Sequence, residues 1–289
     1  MKSSIVFKNI EYKVNGLTIL SNVSGVVEVG DKYAIVGDNG SGKSTLLEIL
    51  LGDLTQQSGE LNFGAGGARK IKSCRFGVVY DNMPLFPQLK VSEILTFISS
   101  LHKVRIGKAE RNELLSQFDL EVQSLRKIKV LSSGERQRVA LMLSVVHNPD
   151  LLILDEAFSN IDPIFFEKIW GYIAPPSRTV VFTSHNWSTL MHHATKVLFL
   201  HRGQQLGTQL SPEEHLSRAP GVKKFVFLYT EGLEQRLKEE KFLTYRLEDK
   251  VCVFPGDRAE MLETLGVAAL LVGAIELKDI YILSKEGKI

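Results

Sequence analysis

Polar and apolar residues alternate over MKSSIVFKNIEYKV, and the segments that follow are β-rich and broken at Asn15-Gly16, Asn22 and Gly30-Asp31. This pattern predicts an antiparallel edge sheet between Ser3 and Val36. The continuous apolar run Tyr33 to Val36 reads as a buried strand, and TLLEILL, Thr45 to Leu51, as the helix after it. Arg75 to Tyr80 predicts another strand. Val91 to Leu131 carries Ile94, Leu95, Ile98 and Leu101, then Leu114, Leu115 and Phe118, which is helical spacing and predicts an all-helical insert within residues 82–148. Leu151 to Leu154 and Thr179 to Phe182 are short apolar runs, each followed by a polar loop and a helix. That is the βα alternation of a parallel sheet with ligands at the carboxyl ends of its strands.

Lys196 to Leu210 predicts a hairpin turning at Arg202-Gly203, and Ser211-Pro212-Glu213-Glu214 the cap of a further helix. The pattern resets around Ala219-Pro220-Gly221. Beyond it, Phe225 to Tyr229, Val251 to Phe254 and Ala269 to Leu277 read as strands, separated by amphipathic helices at Glu231 to Phe242 and Arg258 to Leu265. The expectation is a large α/β domain over residues 1–210 and a small βαβαβ-like domain over 221–289.

The stretch GDNGSGKST, Gly37 to Thr45, changes this picture from fold to chemistry. It contains G-x-x-x-x-G-K-[ST], in which Gly37, Gly40 and Gly42 let the backbone curl around an anion, with Lys43 and Ser44 opening a helix whose positive end faces it. Between a strand and a helix this is a nucleoside triphosphate site, formed by Gly37, Asn39, Gly40, Ser41, Gly42, Lys43, Ser44 and Thr45. Downstream, LLILDE ends in Asp155 and Glu156. Adjacent strand residues point to opposite faces, so one carboxylate can serve a metal and the other an attacking water. Helix capping is the plainer role for such acids.

At 289 residues, 44% hydrophobic and 24% charged, the chain has the balance of an ordinary globular protein. Its 35 basic and 33 acidic residues leave a net charge of +2, which argues against a nucleic-acid partner or a polybasic membrane contact. Cys74 and Cys252 lie far apart without metal-ligand spacing, as free thiols in a reducing compartment would. The longest apolar stretch, Val267 to Ile275, falls short of a membrane span. A soluble, cytoplasmic chain is expected.

Between the phosphate-loop and carboxylate motifs lies Leu131-Ser132-Ser133-Gly134-Glu135, followed after Arg136-Gln137-Arg138 by the apolar VALMLSVV. LSSGE resembles the LSGGQ signature of ATP-binding-cassette (ABC) ATPases, and the order of the three motifs is that family's order. The resemblance runs from Tyr12 to about Leu210. It implies a parallel sheet with helices, an antiparallel β edge subdomain, a helical insert and here a small α+β C-terminal domain. It also implies ATP and Mg²⁺ as cofactors. By position, Tyr12 matches the residue that stacks on adenine, His185 the switch histidine at the γ-phosphate, and Ser159 to Asp162 the loop that meets the opposite subunit. Lys43 would bridge the β- and γ-phosphates, Ser44 and Asp155 would hold Mg²⁺, and Glu156 would polarise water.

Two positions depart from the family pattern. Asp81 stands where glutamine is usual, and can still hold Mg²⁺ directly or through water. Ser133 replaces the first glycine of the signature, while Ser132 and Gly134 are kept. One copy of each motif implies a homodimer or heterodimer of ATPase subunits, each signature closing over the other's ATP. With no span of its own, the chain is expected to drive a separate integral membrane permease and to be peripheral to the membrane through it. The terminal GAIELKDIYILSKEGKI is similar to the short C-terminal domain of bacterial export ATPases. A soluble regulatory or mechanical ATPase, and a subunit with weak hydrolysis, stay open as alternatives.

Overall fold

The computed structural model describes residues 4–64, 75–81, 83–184, 187–263 and 266–289. Strands β1 (Ile5–Val14) and β2 (Leu17–Val27) form a hairpin. Its turn, Asn15-Gly16, has both residues at positive φ, as a tight hairpin turn matched to strand twist requires. After β3 (Lys32–Val36) and α1 (Lys43–Leu51), strand β4 (Ser58–Phe63) returns to β1, giving an antiparallel sheet in the order β2-β1-β4. Phe7, Ile10 and Leu20 from this sheet pack with Leu46 and Leu50 of α1.

The insert follows β5 (Phe76–Val79) and contains α2 (Val91–Leu101) and α3 (Lys108–Gln117). It is not helical throughout. Between α3 and α4 (Ser133–Val145) the chain runs through turns and a short 3-10 turn, Ile128–Val130. The amides of Ile128 and Lys129 donate to the carbonyls of Leu89 and Pro87, and that of Val91 to Arg126. Backbone pairing across the insert thus takes donors that a helix would have used, and Asp119 ends α3 at φ 50.

The large sheet is completed by β6 (Leu151–Leu154), α5 (Pro163–Ile173), β7 (Thr179–Thr183), α6 (Trp187–His193), β8 (Lys196–His201) and β9 (Gln204–Gln205). Its order is β5-β6-β7-β3-β8-β9, parallel except for β9. Central β3 is buried along its whole length. The register sets Ile35 beside Thr183, Phe182 beside Leu154 and Leu154 beside Val79. The carboxyl ends of β3, β5, β6 and β7 are therefore level, and the loops after them meet. The β8–β9 hairpin turns at Arg202-Gly203, and Ser211 with Glu214 makes a reciprocal cap for α7 (Pro212–Ser217), both as the sequence predicts.

The C-terminal segment carries β10 (Lys223–Leu228), α8 (Glu231–Glu239), β11 (Leu243–Leu247), β12 (Lys250–Phe254), α9 (Ala259–Glu263), β13 (Leu271–Ala274) and α10 (Leu277–Lys285). All its pairings are antiparallel, in the order β11-β12-β10-β13, which corrects the βαβαβ expectation. Strand β11 was not foreseen. Its LTYRL faces solvent at Arg246 and Leu247 and lacks a long apolar run. The strand expected up to Leu277 stops at Ala274, because Glu276 begins α10. One face of this sheet packs on α8 and α9. The other, through Tyr245, Phe254 and α10, is continuous with the core of the large sheet.

Asp279, 1% exposed, fixes α10 in that layer. Its Oδ2 accepts from the Glu276 amide at 2.7 Å and from Lys224 Nζ at 2.8 Å, while the Tyr245 hydroxyl donates to its Oδ1. Burial pulls the Lys224 ammonium down, but the bonds and charges of Asp279 and Glu276 hold it above its ordinary value. Asp279→Ala leaves that ammonium without its main partner, and unfolding free energy measured by urea titration is expected to fall by about 3 kcal/mol. A loss under about 1 kcal/mol would show that the carboxylate is dispensable there.

Candidate functional site

The chain leaves β3 at Gly37, where a side chain has no room. A Cβ there would lie 2.1 Å from the Leu200 carbonyl oxygen and 2.5 Å from Ser41 Oγ. Gly40 at φ 76 and Gly42 at φ 102 supply the left-handed conformations that curl the loop. Gly42 is the N-cap of α1, with no side-chain cap and no acidic residue in the first turn, so the helix presents free positive polarity to the loop. Lys43 is buried, and its ammonium donates to the carbonyls of Gly37 at 3.0 Å and Asp38 at 3.1 Å. Ser41 Oγ is buried in the curl without a hydrogen-bond partner. A polyphosphate fits these groups: it supplies acceptors to a buried hydroxyl, to an ammonium and to the leading amides of a helix. Ser44 is exposed and Thr45 half-buried in the first turn of α1.

The two carboxylates after β6 are arranged differently from the strand-alternation expectation. The strand ends at Leu154, and Glu156 adopts φ 47, a left-handed conformation uncommon outside glycine and frequent at functional sites. A sharp turn, not a pleat, separates the pair. Asp155 is buried and accepts from the Thr183 hydroxyl at 2.7 Å, and the same hydroxyl oxygen accepts from the Glu156 amide at 2.8 Å. Thr183 thus sets both acids, and sequence reasoning assigned it no role. The available signal was its place at the end of β7, the strand alongside β6 in a parallel sheet.

A cavity of about 700 Å³ brings Gly37, Asp38 and Asn39 of the phosphate loop together with Asp81, Glu156 and Ser159. Its opposite wall comes from the C-terminal segment, including Arg246, Lys278, Tyr281 and Lys285. No local motif pointed to these residues. Tyr12 lies elsewhere, half-buried on β1 against the cluster around α1. His185 falls outside the described residues.

The signature tip does not line this cavity. Ser132 is the N-cap of α4, its Oγ accepting from the Glu135 amide while Glu135 Oε2 accepts from the Ser132 amide at 2.7 Å. That amide bond, with Gln123 adding a second, holds the Glu135 carboxyl below its usual range. Ser132 and Ser133 are exposed. A Cβ on Gly134 would meet the Asn160 carbonyl oxygen at 3.0 Å, so the glycine lets the signature sit tight on the loop after Glu156. Gln137, buried, reinforces that contact by donating to the Ala157 carbonyl at 2.9 Å.

The family model described as ABC transporter matches residues 20–159. The probable sulfate/thiosulfate import ATP-binding protein CysA of Chlorella vulgaris is 32% identical over 222 residues, covering 73% of this chain and 94% of that protein. The chain belongs to the ABC transporter ATPase family. As an ABC ATPase it binds and hydrolyses ATP. The lantibiotic transport ATP-binding protein SrtF of Streptococcus pyogenes is 28% identical over 200 residues, 68% of this ATPase and 86% of the relative. A bacterial ABC transporter cassette described as a dimeric structure superposes with a TM-score of 0.61 at 25% identity, covering 70% of this chain and 96% of the other. The mixed sheet architecture described above is that of such cassettes.

Thr183→Val removes the donor to Asp155 and the acceptor for the Glu156 amide in one isosteric step. ATP turnover is expected to fall at least about tenfold, since the lost bond to the Asp155 carboxylate alone is worth about that much. Wild-type turnover, with an unchanged circular dichroism spectrum, would show that neither acid relies on this hydroxyl.

Proposed function

We propose that this ABC ATPase works as a head-to-tail pair, each subunit holding ATP in its Gly37–Thr45 loop and closing Ser132 and Gly134 over the ATP of the other. The observation that supports this best is that the signature tip is exposed and does not line the cavity beside the phosphate loop of the same chain. A second subunit would bring a signature to each loop. In this arrangement Lys43 would bind the β- and γ-phosphates, and Ser44 and Asp155, with Asp81, would hold Mg²⁺. Mg²⁺, when bound, neutralises charge on the phosphates. Glu156 orients the attacking water and takes its proton, His185 contacts the γ-phosphate, and Tyr12 carries the adenine. Residues 1–210 form the nucleotide-binding unit and 221–289 an accessory unit.

The work is done on a separate membrane permease. No helix among the described residues is long and apolar enough to cross a membrane. A second cavity, about 530 Å³, opens between β5, α2 and α4 and is lined by Phe76, Met83, Ile98, Leu143 and the stacked rings of His102 and His147. Its apolar side chains, with Arg75 and the two histidines among them, suit one amphipathic helix of a permease. Export is the proposed direction on the similarity of the terminal GAIELKDIYILSKEGKI to the short C-terminal domain of bacterial export ATPases; the relatives include both an import protein and a lantibiotic transport protein and do not decide it.

Glu156→Gln keeps the shape of the side chain and removes its basicity. This variant is expected to bind ATP, to lose at least about 10²-fold in turnover, and to shift from monomer to dimer in sizing experiments at millimolar ATP. Turnover at the wild-type rate would remove Glu156 from its role, and a monomer at saturating ATP would remove the paired arrangement.

A further inference from the structure

We propose that α10 forms a wall of the nucleotide site within the same chain, and that Lys278 on it supplies a cation to the terminal phosphate of the bound nucleoside triphosphate. The proposal rests on the reading of Gly37–Thr45 as the triphosphate loop. Lys278, Tyr281 and Lys285 are spaced i, i+3 and i+7, which places them on one face of the helix. All three line the cavity that holds Gly37, Asn39, Asp81 and Glu156.

The helix is fastened to the loop itself. Tyr281 accepts from the Asp38 amide through its hydroxyl oxygen at 3.1 Å, and Lys285 Nζ meets Asp38 Oδ2 at 2.8 Å. Burial pushes the Asp38 carboxyl up, but Lys285, Tyr281 and His201 together hold it below its usual range. Trp187, two residues beyond His185, lies against the Tyr281 ring with centroids 5.4 Å apart. At its other end the helix is held by buried Asp279.

The cations along this wall are not equivalent. Lys285 is neutralised by Asp38, and Arg246 stacks on Tyr229 and donates to the Glu248 carbonyl. Lys278 is exposed and forms neither a hydrogen bond nor an ion pair among the described residues. It lines the same cavity as Asp81 and Glu156, the residues assigned above to Mg²⁺ and the attacking water. A triphosphate differs from a diphosphate by charge on its terminal phosphate, so a cation near that phosphate discriminates between the two.

Equilibrium binding of fluorescent analogues of ATP and ADP, at protein concentrations where the full chain is monomeric, tests this. Lys278→Gln is expected to weaken binding of the ATP analogue about five- to tenfold and leave the ADP analogue within about twofold, with Lys278→Arg restoring the difference. Lys43→Ala in the same assay is expected to lose both. Unchanged affinity for the ATP analogue in Lys278→Gln, or an equal loss for both nucleotides, overturns the role of Lys278 while the loss in Lys43→Ala keeps the loop as the site. Full binding by Lys43→Ala overturns the loop reading and this proposal with it.

Discussion

The close approach of two backbones at Gly37 governs the functional end of this molecule. Strand β3 runs at the centre of the large sheet, between β7 and β8, and must turn out of it at the point where the Leu200 carbonyl and Ser41 lie against its path. Any Cβ at Gly37 would force β8 away or open the curl. Because the crossing is tight, the Ser41 hydroxyl is enclosed and the Lys43 ammonium lies over the carbonyls of Gly37 and Asp38. The sheet register then determines what faces the curl. With Leu154 level with Phe182, the next residue on each strand, Asp155 and Thr183, comes within hydrogen-bond distance. A polar cluster is assembled where neighbouring strands end together, without any long-range charge on the protein.

How much of this was legible in the sequence follows from the range of the interactions concerned. The phosphate loop, β3, β6 and β7 are set by local patterns: fully buried strands read as apolar runs, and three glycines mark a curl. The caps at Ser132 and Ser211 are also local, each needing only a hydroxyl and a glutamate three residues apart. By contrast, the chain between α3 and α4 is shaped by backbone bonds to Pro87 and Leu89, some forty residues earlier. The apolar residues at helical spacing end at Phe118, the C-cap of α3, so the expected helix was extended beyond the pattern that supported it. Strand β11 was hidden because β12 and α10 supply its apolar contacts while its own sequence is half polar. The pleat argument for Asp155 and Glu156 failed for a related reason: it assumed a strand where Glu156 takes a left-handed turn.

The signature illustrates two demands met by one short segment. Ser132 and Glu135 saturate the first turn of α4, which makes the tip stable without a partner. Gly134 lies against the Asn160 carbonyl, so the tip and the loop that follows Glu156 are in van der Waals contact. Ser133, the departure from the usual glycine, points to solvent and disturbs neither contact. The substitution therefore alters the surface offered to a partner and leaves the fold of the chain unchanged.

The C-terminal segment meets the phosphate loop through α10, and the chemistry at the two ends of that helix differs. At Asp279 a carboxylate is removed from water beside Lys224 and Tyr245, an arrangement whose net stabilisation is small because desolvation offsets attraction. What such a pair adds is directionality, since Asp279 holds the Glu276 amide, Lys224 and Tyr245 by hydrogen bonds where a hydrocarbon contact has no preferred direction. Tyr281 and Lys285, further along the same helix, reach Asp38. The surface pair at Asp38 is half-exposed and weak on its own. The partners of Asp38 sit on the same helix as Asp279, so the contact between phosphate loop and C-terminal sheet is held at both ends of α10.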